Sequence, residues 1–215
     1  MPGKAEAIAF GDELSFGTAG LRGIMTAGTY AMNRYTVAKA TKGLADLINS
    51  AGGAERGVVI GYDSRNNSRL FAEITAGVLA YEGVRVYFFD ELRPTPMVSF
   101  ALRELHCIAG VNITASHNPK EYNGYKVYWE DGAQISKEQA KAVSDSMAGT
   151  DIFSVSCADF DREVGSGGIK ILTKDFDEKY IAKVIEQQID RNIVHSVADR
   201  MCIVYTPFNG AGYRL

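Results

Sequence analysis

Apolar positions along the chain fall into two periods, and the period changes mark the elements. Val37, Thr41, Leu44 and Ile48 recur at helical spacing after Asn33, a residue suited to cap a helix, and "AGG" at 51–53 supplies the stop. The run "GVVIGYD" (57–63) has the length and β-branched density of a buried strand. A polar loop, "SRNNS", leads from it to a second helix with Ser68 as its cap, running from Arg69 to Gly83. "VRVYFFD" (84–90) predicts the next strand, and "PTPMVSFALREL" a helix with Thr95 as cap and Pro96 at its first position. "CIAGVNIT" (107–114) predicts a third buried strand.

Three such strands alternating with helices predict an α/β fold, a three-layer α/β/α arrangement around a mixed, mostly parallel sheet. The pattern then switches to "YKVYWEDGAQIS", where Val127 and Trp129 alternate with Tyr128 and Asp131-Gly132 is a turn signal. An antiparallel hairpin is therefore expected at one edge of the sheet. Ser136 with Gln139 reads as a capping box for a helix reaching about Met147. The stretch 149–169, with "GSGG", reads as a linker or an irregular boundary, and Asp175 with Glu178 opens a helix to about Asp190. "MCIVYT" (201–206) predicts a further buried strand, and "PFNGAGYRL" resembles a strand-to-helix turn cut short. The expected division is a first domain over 1–170 and the start of a truncated second over 171–215, as in a fragment of a longer protein.

Composition narrows the class. The 215 residues carry a net charge of −3, with 46% hydrophobic and 23% charged residues, a soluble globular balance. The basic residues are scattered, so no nucleic-acid partner is expected. No apolar run is long enough for a membrane span and "MPGKAEAIAF" lacks a secretory core, so no membrane partner is expected and the expected compartment is the cytoplasm. Cys107, Cys157 and Cys202 have no paired spacing and read as small buried hydrophobes. His106 and His195 read as ordinary histidines.

Candidate chemistry gathers in "TASHNPKEYNGYK" (114–126), which begins where a strand of the sheet runs out, the end at which open α/β sheets bind ligands. Taken alone, Ser-His-Asn-Pro is most simply an exposed polar turn. A hydrolase reading fails because adjacent residues rarely place the histidine ring behind the serine hydroxyl, and no G-x-S-x-G elbow surrounds Ser116. Asn118-Pro119 and Asn123-Gly124 predict two turns whose N–H groups could face inward and hold a phosphate.

Together with "FGTAGLRG" (16–23) and "GYDSR" (61–65), this stretch resembles the α-D-phosphohexomutases, the family containing phosphoglucomutase and phosphomannomutase, in their N-terminal domain I. "VYTPFNGAG" resembles the start of the family's second domain, and "GLRG" and "NGYKVYW" resemble the phosphoglucomutase-2 and phosphopentomutase branch.

The resemblance implies that Ser116 carries a phosphoryl group and exchanges it with a sugar monophosphate through a sugar bisphosphate intermediate, which also serves as activator. It implies Arg22 as a bidentate phosphate clamp and Lys126 as general acid/base or point charge. His117 would contact the substrate or its phosphate, and Asn118 would shape the loop. Asp63 and Arg65 are expected to brace the neighbouring loop as an ion pair, and Tyr125, Tyr128 and Trp129 to pack the hairpin.

Mg²⁺ is the implied cofactor, with only the phosphate oxygen on Ser116 as a ligand from this chain. The partner would be a glucose, mannose or pentose phosphate. The metal, sugar-selecting and phosphate loops of the other domains do not occur here, so these 215 residues alone are expected to be inactive. A sugar-bisphosphate synthase of the same fold and a non-catalytic phosphosugar-binding module are the alternatives.

Overall fold

The computed structural model describes residue 6, residues 9–190 and residues 192–215; most of the N-terminal stretch read for a signal lies outside them. Six strands, β1 (Leu21–Ile24), β2 (Val58–Tyr62), β3 (Val86–Phe89), β4 (Ala109–Ile113), β5 (Tyr122–Trp129) and β6 (Ile169–Leu172), form one sheet in the order β1-β5-β4-β2-β3-β6. The pairs β2–β3, β2–β4 and β3–β6 are parallel, while β5 runs antiparallel to both β4 and β1.

Helices cover both faces, as a sheet buried on two sides requires. Val58, Ile60, Val111 and Ile113 face the core under α1 (Arg34–Ser50), α2 (Ser68–Tyr81) and α4 (Lys137–Gly149). Val59 and Phe89 face α3 (Thr95–Glu104) and α6 (Lys174–Glu186), where Met97, Val98, Leu102 and Phe176 pack. Full burial of Phe88 and Phe89 on opposite faces of β3 stabilises the fold by about 1.5–3 kcal/mol each.

Local signals set most helix starts. Asn33 caps α1 by accepting from the Tyr35 and Thr36 amides, and the Thr36 hydroxyl accepts from the Asn33 amide in return. Ser136 and Gln139 form the expected reciprocal pair at α4. Two caps sit one residue earlier than expected. Asn67, with a left-handed φ of 61°, precedes α2, because the Ser68 hydroxyl is used by Asp63 (2.7 Å). Pro94 precedes α3, leaving Thr95 at its first position.

Long-range pairing produced the larger departures. The antiparallel hairpin at this side of the sheet is β4–β5, and its connection is the serine loop itself. Beyond Asp131-Gly132 only a single bridge forms, between Tyr128 and Gln134, and the sheet edge is completed instead by β1 from the N-terminal motif. Asn123-Gly124 is strand, not turn: Asn123 pairs with Gly23, and its buried amide donates to the Asn66 carbonyl and Ser68 hydroxyl.

The stretch read as a linker holds helix α5 (Phe160–Ser166), whose Phe160 packs edge-on against Phe88. The division placed at residue 170 falls inside β6, which continues the same sheet, and α6 ends at Glu186 rather than near Asp190. Residues 201–206 form no strand: Ile203 and Val204 are exposed and pair with nothing among the described residues. A final helix, α7 (Ile193–Val197), is exposed. Cys107 is buried, and loss of solvent pushes its thiol up to about 12; Cys157 and Cys202 are exposed, contrary to expectation, because neither lies on a sheet-facing position.

Candidate functional site

The site grows from the carboxyl end of β4. Thr114 is the last residue held by ladder geometry, its amide donating to the Gly124 carbonyl at 2.9 Å. Its hydroxyl accepts from the Ser116 amide at 2.9 Å, and the chain turns so sharply that Ser116 adopts φ 57°. A non-glycine residue in that region is uncommon and costs about 1–3 kcal/mol, which the surroundings must offset. The side chain of Ser116 is thereby exposed beyond the sheet.

Arg65 supplies much of that support. Its guanidinium donates to four carbonyls of the serine loop: Ser116 (2.8 Å), Asn118 (2.6 Å), Pro119 (2.9 Å) and Tyr122 (3.2 Å). Asp63 holds Arg65 in turn, at 3.4 Å between Oδ2 and Nε, and accepts from the Arg65 amide at 3.0 Å. One planar fork thus gathers carbonyls that would otherwise repel one another. The short polar "DSR" after a strand was the only signal in the sequence, and it did not show that four acceptors converge on one arginine.

Three of the amides expected to face inward bond within the loop instead. The Asn118 amide donates to the Ala115 carbonyl, the Tyr122 amide to the Pro119 carbonyl, and the Gly124 amide to the Asn123 side chain, so these donors are committed within the loop. Charged and polar side chains lie on the neighbouring elements. Arg22, projecting from β1, donates to the Asn118 side chain at 3.0 Å. His117 places Nδ1 3.4 Å from Ser116 Oγ, an outer-limit contact. Lys126 is half-buried on β5, opposite Asn112. Burial holds its pKa below the usual lysine value, the Arg22 charge lowers it further, and Asp63 opposes both.

Ser116, His117, Asn118 and Lys120 line a cleft of about 740 Å³ together with Asp63–Asn66 and Pro207–Gly210. Arg22 and Lys126 do not line it; Arg22 reaches it through Asn118. Tyr125 is fully buried, its hydroxyl 3.2 Å from Thr41 Oγ1, and Tyr128 is buried as well. His106 and His195 are exposed and remote from this arrangement in the fold, at the start of β4 and on α7. Among the described residues, no three His, Cys, Asp or Glu side chains are grouped to hold a metal ion, and no helix is long and apolar enough to cross a membrane.

Residues 13–152 match the family model for phosphoglucomutase/phosphomannomutase, alpha/beta/alpha domain I. The chain belongs to this family. A phosphoglucomutase of Staphylococcus epidermidis is 50% identical over 131 residues, which is 61% of this chain and 24% of that protein. A Schizosaccharomyces pombe relative named "Probable phosphoribomutase" is 47% identical over 133 residues, 61% of this chain and 23% of its own length. Among solved structures, Paramecium parafusin, a phosphoglucomutase in its open form, superposes with a TM-score of 0.65 at 15% identity, covering 88% of this chain and 38% of its own. That last likeness shows the fold. The chain spans about a quarter of the length of the curated relatives it matches, and the phosphoglucomutase/phosphomannomutase model covers the segment from just before β1 to just after α4.

Proposed function

We propose that this chain is the serine-bearing domain of a sugar-phosphate mutase and that Ser116 is its phosphoryl carrier. The observation that carries this reading is Ser116 itself: an exposed hydroxyl on a left-handed residue, its loop held by four carbonyl contacts to Arg65, in the segment that matches the family's domain I.

The chemistry follows from charge. A phosphoserine brings nearly two negative charges, and phosphoryl transfer depends on holding that charge more than on covalent assistance. Arg22 and His117 can donate to the phosphoryl oxygens, Arg22 after exchanging its bond to Asn118. In the transfer, the sugar hydroxyl oxygen bonds to phosphorus as the bond from phosphorus to Ser116 Oγ breaks. The hydroxyl proton ends on Ser116 Oγ, and Lys126, with its lowered pKa, is the proposed carrier for it. The return step reverses these changes on the other hydroxyl. The substrate is a sugar monophosphate, and the names of the relatives favour a hexose or pentose phosphate.

A divalent cation would find one ligand oxygen in this chain, on the phosphorylated Ser116, and would there neutralise charge on the transferring group. One oxygen does not displace the hydration of Mg²⁺. The remaining ligands would come from other parts of the full protein, and the 215 residues alone are expected to be inactive.

Intact mass of the full-length protein after exposure to a sugar bisphosphate tests the reading. A covalent phosphoryl group is expected, lost in Ser116→Ala together with about 1,000-fold or more of the mutase rate. Retention of the rate by Ser116→Ala would sink the carrier role, and a native protein with neither a covalent phosphoryl group nor mutase turnover would leave a phosphosugar-binding module.

A further inference from the structure

The cleft beside Ser116 has two chemically different walls. Asp63, Ser64, Arg65, Asn66, His117 and Lys120 make one wall polar and charged. The turn Pro207–Gly210 also lines the cleft, and Phe208 in it is 88% exposed. Phe208 also has a left-handed φ of 49°, a strained conformation for an aromatic residue.

The turn is tethered at several points. The Gly210 amide donates to the Pro207 carbonyl at 2.7 Å, and the Ser64 hydroxyl donates to the Asn209 carbonyl. Further along, the Tyr213 hydroxyl donates to Glu91 at 2.8 Å, and Arg214 pairs with Glu91 and approaches Asp177 at 3.8 Å. Ser64 adjoins Arg65, which grips the serine loop, so one short segment after β2 is bonded to both the turn and the serine loop.

We propose that Phe208 is the platform for the sugar ring of the substrate, a specificity-determining residue that acts on the ring and not on the phosphate. This rests on the reading of Ser116 as a phosphoryl carrier of a sugar-phosphate mutase. A sugar monophosphate is itself two-sided, with a dianionic phosphate at one end and a C–H face on its ring. The charged wall suits the first, and an exposed phenyl ring, which gains by leaving water, suits the second. Among the described residues that line the cleft, Phe208 and Pro207 are the apolar side chains.

The test uses the full-length protein carrying Ser116→Ala, so that bound sugar phosphate is not turned over, with dissociation constants measured by calorimetry for glucose 1-phosphate and for inorganic phosphate. Phe208→Ala is expected to weaken glucose 1-phosphate about tenfold while leaving inorganic phosphate within about twofold, and Phe208→Tyr to restore the parent value. A change of about twofold or less for glucose 1-phosphate, or equal weakening of both ligands, overturns the platform. Phosphoryl capture by Ser116, read by intact mass in protein with the native serine, is expected to persist in Phe208→Ala. Its loss from the protein with native Phe208 would instead overturn the mutase reading.

Discussion

Arg65 shows how much of this site depends on a residue that makes no covalent contribution. With four loop carbonyls on one guanidinium, replacement by methionine releases the loop and lets Ser116 relax from φ 57°. Mutase turnover of the full-length protein is expected to fall about 100-fold in Arg65→Met, since misplacement of a reacting group by about 1 Å has that effect. Arg65→Lys is expected to restore little, because a point charge does not span four acceptors. Lys126 offers a second test at this scale. Burial and Arg22 depress its pKa, so Arg22→Gln should raise it and Asp63→Asn should lower it further, both read from an NMR titration of the lysine side chain. The sign for stability follows. The folded pKa lies below the unfolded value of about 10.4, so the unfolded chain holds the extra proton between them and stability rises with pH across that window. Lys126→Met should remove this dependence, visible as a flattened alkaline limb in urea-unfolding free energy.

At the scale of elements, the site exists because β1 and β5 meet. Gly20 makes the meeting possible: its φ is 78°, and a Cβ there would overlap the Tyr125 carbonyl oxygen. Gly20→Ala is expected to push β1 off β5, lowering stability by about 2 kcal/mol or more in denaturant titration and withdrawing Arg22 from Asn118. The helices were more legible than the edge. Asn33 and Ser136 make the reciprocal caps that their side chains announce, since a cap is decided within four residues. The Ser68 cap slipped by one because its hydroxyl answers to Asp63, a partner contributed by the preceding loop. The hairpin turn at Asp131-Gly132 exists, with Gly132 at φ 84°, yet its downstream arm makes a single bridge because β1 already occupies the edge of β5.

For the whole molecule, the fold closes through a fully buried arginine. Arg93 donates to Asp177 at 2.6 and 2.9 Å and to Asp90 at 2.9 Å, joining the β3–α3 connection to α6. Removing one partner leaves the other charge buried, so Arg93→Met is expected to cost about 3–5 kcal/mol in urea unfolding. The same tie bears on the domain boundary. We propose that the first domain extends through α6, because β6 pairs with β3 and Phe176 packs on Phe89 and Phe100. A chain ending at 170 should therefore expose apolar surface and fail to unfold cooperatively, whereas one ending at 190 should unfold in a single transition by circular dichroism.

What the sequence determined by itself was short-range. Strands β2, β3 and β4 are continuous apolar runs, the helix caps are local, and the residues from 114 to 126 with "FGTAGLRG" and "GYDSR" carried the resemblance that the family match bore out. The tertiary structure decided what depends on residues far apart. Placement of β1 against β5 joins positions about a hundred residues distant, β6 enters the sheet from a stretch that reads as a linker, and Arg65 reaches the serine loop from more than fifty residues upstream. Periodicity reports which face of an element is buried but is silent about its neighbour. That choice is made by the competition among whole packed arrangements, and it is this competition that sets a strained serine beside its arginine.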